Sequence, residues 1–280
     1  MSGRGKAEKT IKIGNALHEV LEAHHPMTVR QAYYQLVAVQ IIPNSKASYQ
    51  KIGGILVELR KDGTIPWAWI EDRLRRPRSV SMWEDPADFA ETACRAYRRD
   101  VWATQSEYLE TWLEKDALSG IFEDVLDSYG VTLNVGRGYD GWDSIRNAAD
   151  RFLSHGKVTV LYFGDFDPSG EDMARSLRER LAFFDVEPEL IKVALTEEDI
   201  ERYHLPPDPA KLTDTRAASF IEAHGDVSVE LDALPVDVLR ERIVSEVEAR
   251  LDVEAINRLR EEDEKEREEI RKALAGIGTA

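Results

Sequence analysis

Only one cysteine, Cys94, occurs in the 280 residues, so an intrachain disulfide is excluded and no thiolate set exists for a structural zinc. Long apolar runs are missing as well. Runs such as 158–163 fall far short of the roughly 20 residues that a membrane-spanning helix requires. The opening Met-Ser-Gly-Arg-Gly-Lys is followed by no apolar segment, which argues against a secretory signal. No glycine-rich loop ending in Lys-Ser or Lys-Thr is present, so the chain carries no P-loop for ATP-driven work of its own. These absences point to a cytoplasmic protein with no membrane partner. Positive charge is also scarce. The 37 Lys and Arg residues stand against 53 Asp and Glu, for a net charge of −16, which opposes non-specific attraction to a phosphate backbone.

The distribution of that charge changes the argument. Within 60–78, Arg60, Lys61, Arg73, Arg75, Arg76 and Arg78 face only Asp62, Glu71 and Asp72, and Arg95, Arg98 and Arg99 follow. The acidic excess lies in 161–280. A basic first part on an acidic chain is compatible with double-stranded DNA as a partner, with those six residues as its candidate contacts. An apolar content of 42% is ordinary for a globular chain, and the length suits two modest domains, each with its own core.

Apolar residues at Ile11, Ile13, Leu17, Val20 and Leu21 predict a helix over 11–24, ended by Pro26. Thr28 with Gln31 three residues later forms a capping box for a second helix over 29–40. Pro43, Asn44 and Ser45 make a turn, and a third helix runs through Ile52, Ile55, Leu56 and Leu59 to Gly63. Alternation of Ile65, Trp67 and Trp69 suggests a short strand. Three helices and a strand match a winged helix-turn-helix in order, with plain three-helix packing as the alternative. After a linker at 77–86, residues 88–109 are expected to be largely helical. Further on come a helix to 128, a strand over 131–135, a turn at Gly136-Arg-Gly138 and a helix to about 154. A strand over 157–163 and a helix over 170–183 follow, an alternation that indicates a parallel α/β sheet. The Glu- and Arg-rich stretch 236–274 reads as a solvated helix or coiled-coil arm.

The sharpest chemical signal is Leu161-Tyr-Phe-Gly-Asp165-Phe-Asp167-Pro-Ser-Gly170. An apolar strand running into two acids two residues apart directs both carboxylates to one face at the ligand-binding end of a parallel sheet. Such a pair calls for a divalent cation, and Mg²⁺ accepts carboxylates together with phosphate oxygens. The alternative is a helix-capping acid beside a solvated one. Glu114, in Leu113-Glu-Lys-Asp-Ala117, is a third candidate ligand if it too ends a strand. On the second predicted helix, Val29, Ala32, Tyr33, Leu36 and Val37 form the apolar stripe, so Tyr33 belongs to the core. Tyr34 lies off that stripe and four residues after Arg30, partly exposed and placed to attack a phosphate whose charge the guanidinium offsets. With an ordinary pKa near 10, it needs assistance from a metal at neutral pH.

Glu114-Lys-x-Ala, Gly136-Arg-Gly-Tyr139 and Gly164-Asp-Phe-Asp-Pro-Ser-Gly170 resemble the TOPRIM domain of the topoisomerase VI A subunit, a family that includes the eukaryotic protein making meiotic double-strand breaks. Val29-Arg-x-x-Tyr33-Tyr34 is similar to the catalytic-tyrosine motif of that family's winged-helix domain. The segments 195–205 and Val229-Glu-Leu-Asp-Ala-Leu234 resemble the later part of its TOPRIM domain, so the likeness spans roughly 28–240 in the family's order. It implies a winged-helix domain over 1–80, a linker helix over 81–100, a Rossmann-like TOPRIM domain over 101–235 and a charged helical tail over 236–280. It also makes Tyr34 the nucleophile, Arg30 its electrostatic helper, and Glu114, Asp165 and Asp167 the ligands of Mg²⁺ or Mn²⁺. A homodimer is implied too, because in the family the tyrosine of one protomer works with the metal of the other. Gln31 departs from the acid usual after the motif's arginine. The chain begins almost at the winged helix, without the extension that engages an ATPase partner, which suggests a stand-alone breaking enzyme of a phage, plasmid or defence system. Two other readings are a TOPRIM nuclease that uses water as nucleophile and a non-catalytic DNA-binding module.

Overall fold

The computed structural model describes residues 2–71, 80–136, 141–207 and 217–274. It opens with three helices, α1 (Ser2–His24), α2 (Val29–Ala38) and α3 (Lys46–Lys61). The capping box forms as the sequence dictates. Gln31 N donates to Thr28 Oγ1 at 3.2 Å, and Thr28 N donates to Gln31 Oε1 at 2.6 Å. Ser45 caps α3 through Ser48 N, and Gly63, at φ +84°, lets the chain turn sharply after the helix. Leu17 and Leu21 of α1, Leu36 of α2, and Ile52 and Leu56 of α3 are buried against one another.

The strand expected from Ile65, Trp67 and Trp69 does not form. Pro66 leads into a 3-10 turn, Trp67–Trp69, and pairing is limited to an isolated parallel bridge between Met27 and Ile70. The spacing of the two indoles serves ring contacts instead. Trp69 stacks on His25 with ring centroids 4.8 Å apart, and Trp67 lies 4.1 Å beneath the Arg60 guanidinium.

Four parallel strands follow, β1 (Tyr108–Leu113), β2 (Thr132–Val135), β3 (Val158–Phe163) and β4 (Glu189–Ala194), in the order β2-β1-β3-β4. Instead of a long helix over 88–109, the chain forms α4 (Pro86–Ala96), a 3-10 turn at Val101–Thr104, and β1. Helices α5 (Ser119–Leu126), α6 (Trp142–Phe152) and α7 (Pro168–Ala182) alternate with the strands, which establishes the α/β class. Every residue of β1 and β3 is buried, so neither shows the alternation of a half-exposed strand. Beyond Gly136, the turn residues Arg137 and Gly138 lie outside the described residues.

One sheet face carries Tyr108, Trp112, Val160 and Tyr162 and is covered by Phe152 of α6 and Leu177 and Leu181 of α7. On that face Glu110 is fully buried, yet Arg151 Nε donates to it at 2.6 Å and Tyr108 Oη at 2.8 Å, which compensates the charge. The other face presents Leu109, Leu113, Leu161 and Phe163 to Phe122 of α5, in a core continuous with that of the three N-terminal helices. Helices α8 (Glu197–Arg202) and α9 (Ala217–His224) precede α10 (Val236–Glu248) and α11 (Val253–Leu274). The last two are not a detached arm. Val236, Leu239, Ile243 and Val247 of α10 enter the core beside α5, and α11 packs its Ile256 and Leu259 side inward and lies along α4. An apolar stripe at helical spacing inside an acidic sequence is enough to seat them. Among the described residues no helix is long and apolar enough to cross a membrane.

Candidate functional site

The strand order reverses direction between β1 and β3, whose carboxyl ends therefore flank the crevice where open α/β sheets bind ligands. Glu114 is the first residue past β1, and its N–H donates to Phe163 O at the end of β3 at 2.9 Å. Strand β3 stops at Phe163, so Asp165 and Asp167 stand in the loop before α7 and do not share a strand face as expected. Asp167 is the N-cap of α7, where its Oδ1 accepts from Gly170 N at 2.7 Å. The Asp165 side chain, 14% exposed, accepts from Leu231 N at 2.7 Å and so is not a solvated acid. Glu114 Oε2 accepts from Asp165 N at 3.0 Å, which draws the acids of both strand ends together. The glycines of the motif make this approach possible. A Cβ on Gly164 would stand 2.6 Å from Glu114 Oε2, and one on Gly170 would stand 2.3 Å from Asp165 O.

Burial, reinforced by the negative charges of Asp165 and Asp167, pushes the Glu114 carboxyl up to about 7. Burial likewise raises Asp165, against the pull of Lys115 and the Leu231 N–H. Lys192 of β4 faces the same acids. Its burial disfavours the ammonium, while Glu171, Glu114, Asp167 and Asp165 pull the other way. Among the described residues no three His, Cys, Asp or Glu side chains are gathered to hold a metal ion as they stand. The donor chemistry nevertheless suits a hard divalent cation: three carboxylates with a surplus of negative charge that a cation relieves.

Arg30 and Tyr34 share one face of α2, with the guanidinium carbon 5.8 Å from the ring centroid. Tyr34 is not partly exposed as the helical stripe implied. At 6% exposure it is nearly as buried as Tyr33 at 3%, because the 3-10 turn Leu231–Ala233 covers the side of α2 that α1 and α3 leave open. This turn joins α2 to the sheet. Glu230 Oε2 accepts from Arg30 Nη2 and, at 2.8 Å, from Lys115 Nζ. The fully buried Asp232 side chain lies 3.1 Å from Arg30 Nε and 2.9 Å from Lys115 Nζ. Lys115 Nζ in turn lies 3.5 Å from Asp165 Oδ1. A continuous chain of opposite charges thus runs from the tyrosine helix to the end of β3.

Burial and then the charge of Glu230 raise the Tyr34 phenol above its usual range, while Arg30 acts in the opposite sense. For Glu230, burial opposes ionisation, but Lys115 and Arg30 outweigh it and hold the carboxyl below its ordinary value. Lys115 and Arg30 both stay charged despite burial. Asp232, Asp165 and Glu230 raise the first; Glu230 and Asp232 raise the second.

The structure therefore brings Arg30 with Tyr34, and Glu114 with Asp165 and Asp167, and it links the two groups. The expected DNA contacts fare differently. Arg60 is engaged over Trp67, Lys61 pairs with Glu58 at 3.0 Å, and Arg73, Arg75, Arg76 and Arg78 lie outside the described residues. Sequence reasoning assigned no role to Lys115, Glu230 or Asp232. A signal was present, since Lys115 sits inside Glu114-Lys-x-Ala, and Glu230 and Asp232 are the two acids of Val229-Glu-Leu-Asp-Ala-Leu234. No protein-family model matches the chain, and no curated protein matches it.

Proposed function

We propose that the chain breaks DNA strands with Tyr34 and Arg30 on one side and Mg²⁺ at Glu114, Asp165 and Asp167 on the other, two groups joined through Glu230, Asp232 and Lys115. The observation that carries this reading is the ion network Arg30–Glu230/Asp232–Lys115–Asp165, which couples a tyrosine helix to carboxylates at the switch point of a parallel sheet. The motif likeness to the winged-helix and TOPRIM domains of the topoisomerase VI A subunit supports it. The Tyr34 phenolic oxygen forms an ester bond to a backbone phosphorus while the bond from that phosphorus to a deoxyribose oxygen breaks. The phenol gives up its proton and the departing oxygen takes one up. Arg30 offsets the phosphate charge, and Lys115 Nζ lies 3.5 Å from Asp165 Oδ1 and 2.9 Å from Asp232 Oδ2, joining the tyrosine side to the carboxylates. Mg²⁺, held by Glu114, Asp165 and Asp167, supplies Lewis-acid polarisation of the phosphate when bound. Double-stranded DNA as substrate, and a homodimer in which two such sites act on opposite strands, belong to the same proposal.

A hydrolytic reading is favoured by one specific observation. Tyr34 is buried, and its phenol is held protonated by burial and by Glu230. In that case water attacks and Tyr34 packs beside the phosphate. The decisive measurement is cleavage of supercoiled DNA with Mg²⁺ and with EDTA, followed by detection of protein bound covalently to the ends. Mg²⁺-dependent breaks carrying protein support the tyrosyl ester, and breaks with free ends support hydrolysis. A folded, unaltered protein that makes no breaks under either condition overturns the proposal.

A further inference from the structure

Two cationic donors converge on one oxygen of Glu230: the Arg30 guanidinium and, at 2.8 Å, the Lys115 ammonium. Tyr34 borders the same spot, its ring 5.8 Å from the guanidinium carbon. Two cations aimed at a single oxygen make an oxyanion seat, and a non-bridging phosphate oxygen satisfies it as well as a carboxylate oxygen does. The charge balance agrees. A phosphodiester carries one negative charge, as Glu230 does, so exchanging one for the other leaves the network's total unchanged. Asp232, fully buried between the same cations, is the fixed member of the acid pair.

Glu230 is the replaceable one. Its side chain is 33% exposed and that of Arg30 is 41% exposed. The backbone on either side is tied down: Val229 bridges Phe166, and Leu231 N donates to Asp165 Oδ1 at 2.7 Å. Release therefore needs only rotation of the Glu230 side chain. Arg30 and Tyr34 also line a cleft of about 180 Å³ on the α2–α3 side, together with Asn44, Lys46 and Tyr49.

We propose that Arg30 and Lys115 form a phosphodiester-binding seat beside Tyr34, that Glu230 occupies this seat in the resting chain, and that the DNA backbone enters by displacing it. The ligand's identity rests on the DNA-breaking reading above, whereas the seat itself rests on the geometry. Glu230 then acts as an internal stand-in for the phosphate and keeps the two cations paired until substrate arrives.

The test is Glu230→Gln, which removes the competing charge at nearly constant size, with Glu179→Gln on the exposed face of α7 as a control for net charge. Binding of inorganic phosphate, followed by thermal shift, and of a labelled DNA duplex, followed by anisotropy, is measured in EDTA so that no cleavage intervenes. Glu230→Gln is expected to acquire phosphate-dependent stabilisation and to bind duplex about tenfold more tightly, with a salt slope steeper by about one unit. Arg30→Gln in the same background is expected to abolish both gains. No gain in a cooperatively melting Glu230→Gln protein overturns the proposal, as do gains that survive Arg30→Gln or are matched by Glu179→Gln. If Glu230→Gln fails to fold, Glu230→Ala, which also removes the competing charge, takes its place, and the absence of any gain overturns the seat. Phosphate binding gained without DNA cleavage by any preparation leaves the seat standing and removes the breakage reading. Cleavage by the unaltered chain with no gain in the variants removes the seat alone.

Discussion

Tyr33 donates to Asn44 Oδ1 at 2.7 Å and accepts from Ser45 N at 2.8 Å, so its hydroxyl ties α2 to the turn before α3. Tyr34, one residue on, faces Arg30 and Glu230 instead. Tyr33→Phe therefore removes these hydrogen bonds and should lower stability by about 1 kcal/mol in denaturant titration while keeping cleavage. Tyr34→Phe should eliminate cleavage and covalent adduct together if the phenol is the nucleophile. Under hydrolysis it should cut within about tenfold of the unaltered rate, roughly 1.4 kcal/mol in barrier. Glu114 offers a second residue-scale test. Its carboxyl titrates near 7 in the fold, against 4.5 ordinarily. The folded state thus prefers the protonated form, and the stability this confers is complete below about pH 4.5 and lost as pH rises through about 7. In EDTA, Glu114→Gln should stabilise the protein at pH 8, by something on the order of 2 kcal/mol, and do little at pH 5. An equal melting shift at both pH values would exclude titration of Glu114 as its cause.

At the scale of elements, the parts legible in the sequence are those with one-sided burial or a specific local signal. Thr28 and Gln31 announce the start of α2, and Asp165-Phe-Asp-Pro-Ser-Gly170 announces the passage from β3 into α7. Strand β1 is illegible because both its faces are buried, and Glu110, a charge inside it, is satisfied only by distant Arg151. Strand β4 is hidden in the sequence because its Lys192 is compensated by acids from the ends of β1 and β3 and from α7. The wing-like alternation at Ile65, Trp67 and Trp69 reports ring stacking rather than a strand. The largest departure concerns α10, whose acidic surface conceals a core face. Ile243 is completely buried there, so Ile243→Ala should cost about 2–5 kcal/mol and lower the midpoint of a single cooperative transition. A detached arm would lose well under about 1 kcal/mol from the same change.

For the whole molecule, a net charge of −16 repels a polyanion, so the DNA-breaking proposal requires a local excess of cations for duplex affinity. Several cations are already paired with internal acids: Arg30 and Lys115 with Glu230 and Asp232, and Arg99 with Glu262 and Glu266. Arg60 lies over Trp67, and Lys61 pairs with Glu58. On the DNA-breaking proposal, the basic run Arg73, Arg75, Arg76 and Arg78, outside the described residues, is the candidate source of most backbone contacts. Affinity alone is a poor test, since removing four positive charges weakens binding to DNA wherever they sit. The salt dependence is more discriminating. At physiological ionic strength, charges more than about 8 Å from the phosphates are screened, and only groups that touch phosphate release counterions. Replacing all four arginines by alanine should flatten the slope of log K against log salt by roughly 0.9 for each phosphate no longer neutralised, about three to four units if all four arginines touch one. A weaker complex with an unchanged slope would mean that these arginines act only through the general field and that the duplex is gripped elsewhere. The cleft bordered by Arg30 and Lys46 would then be the surface to mutate next.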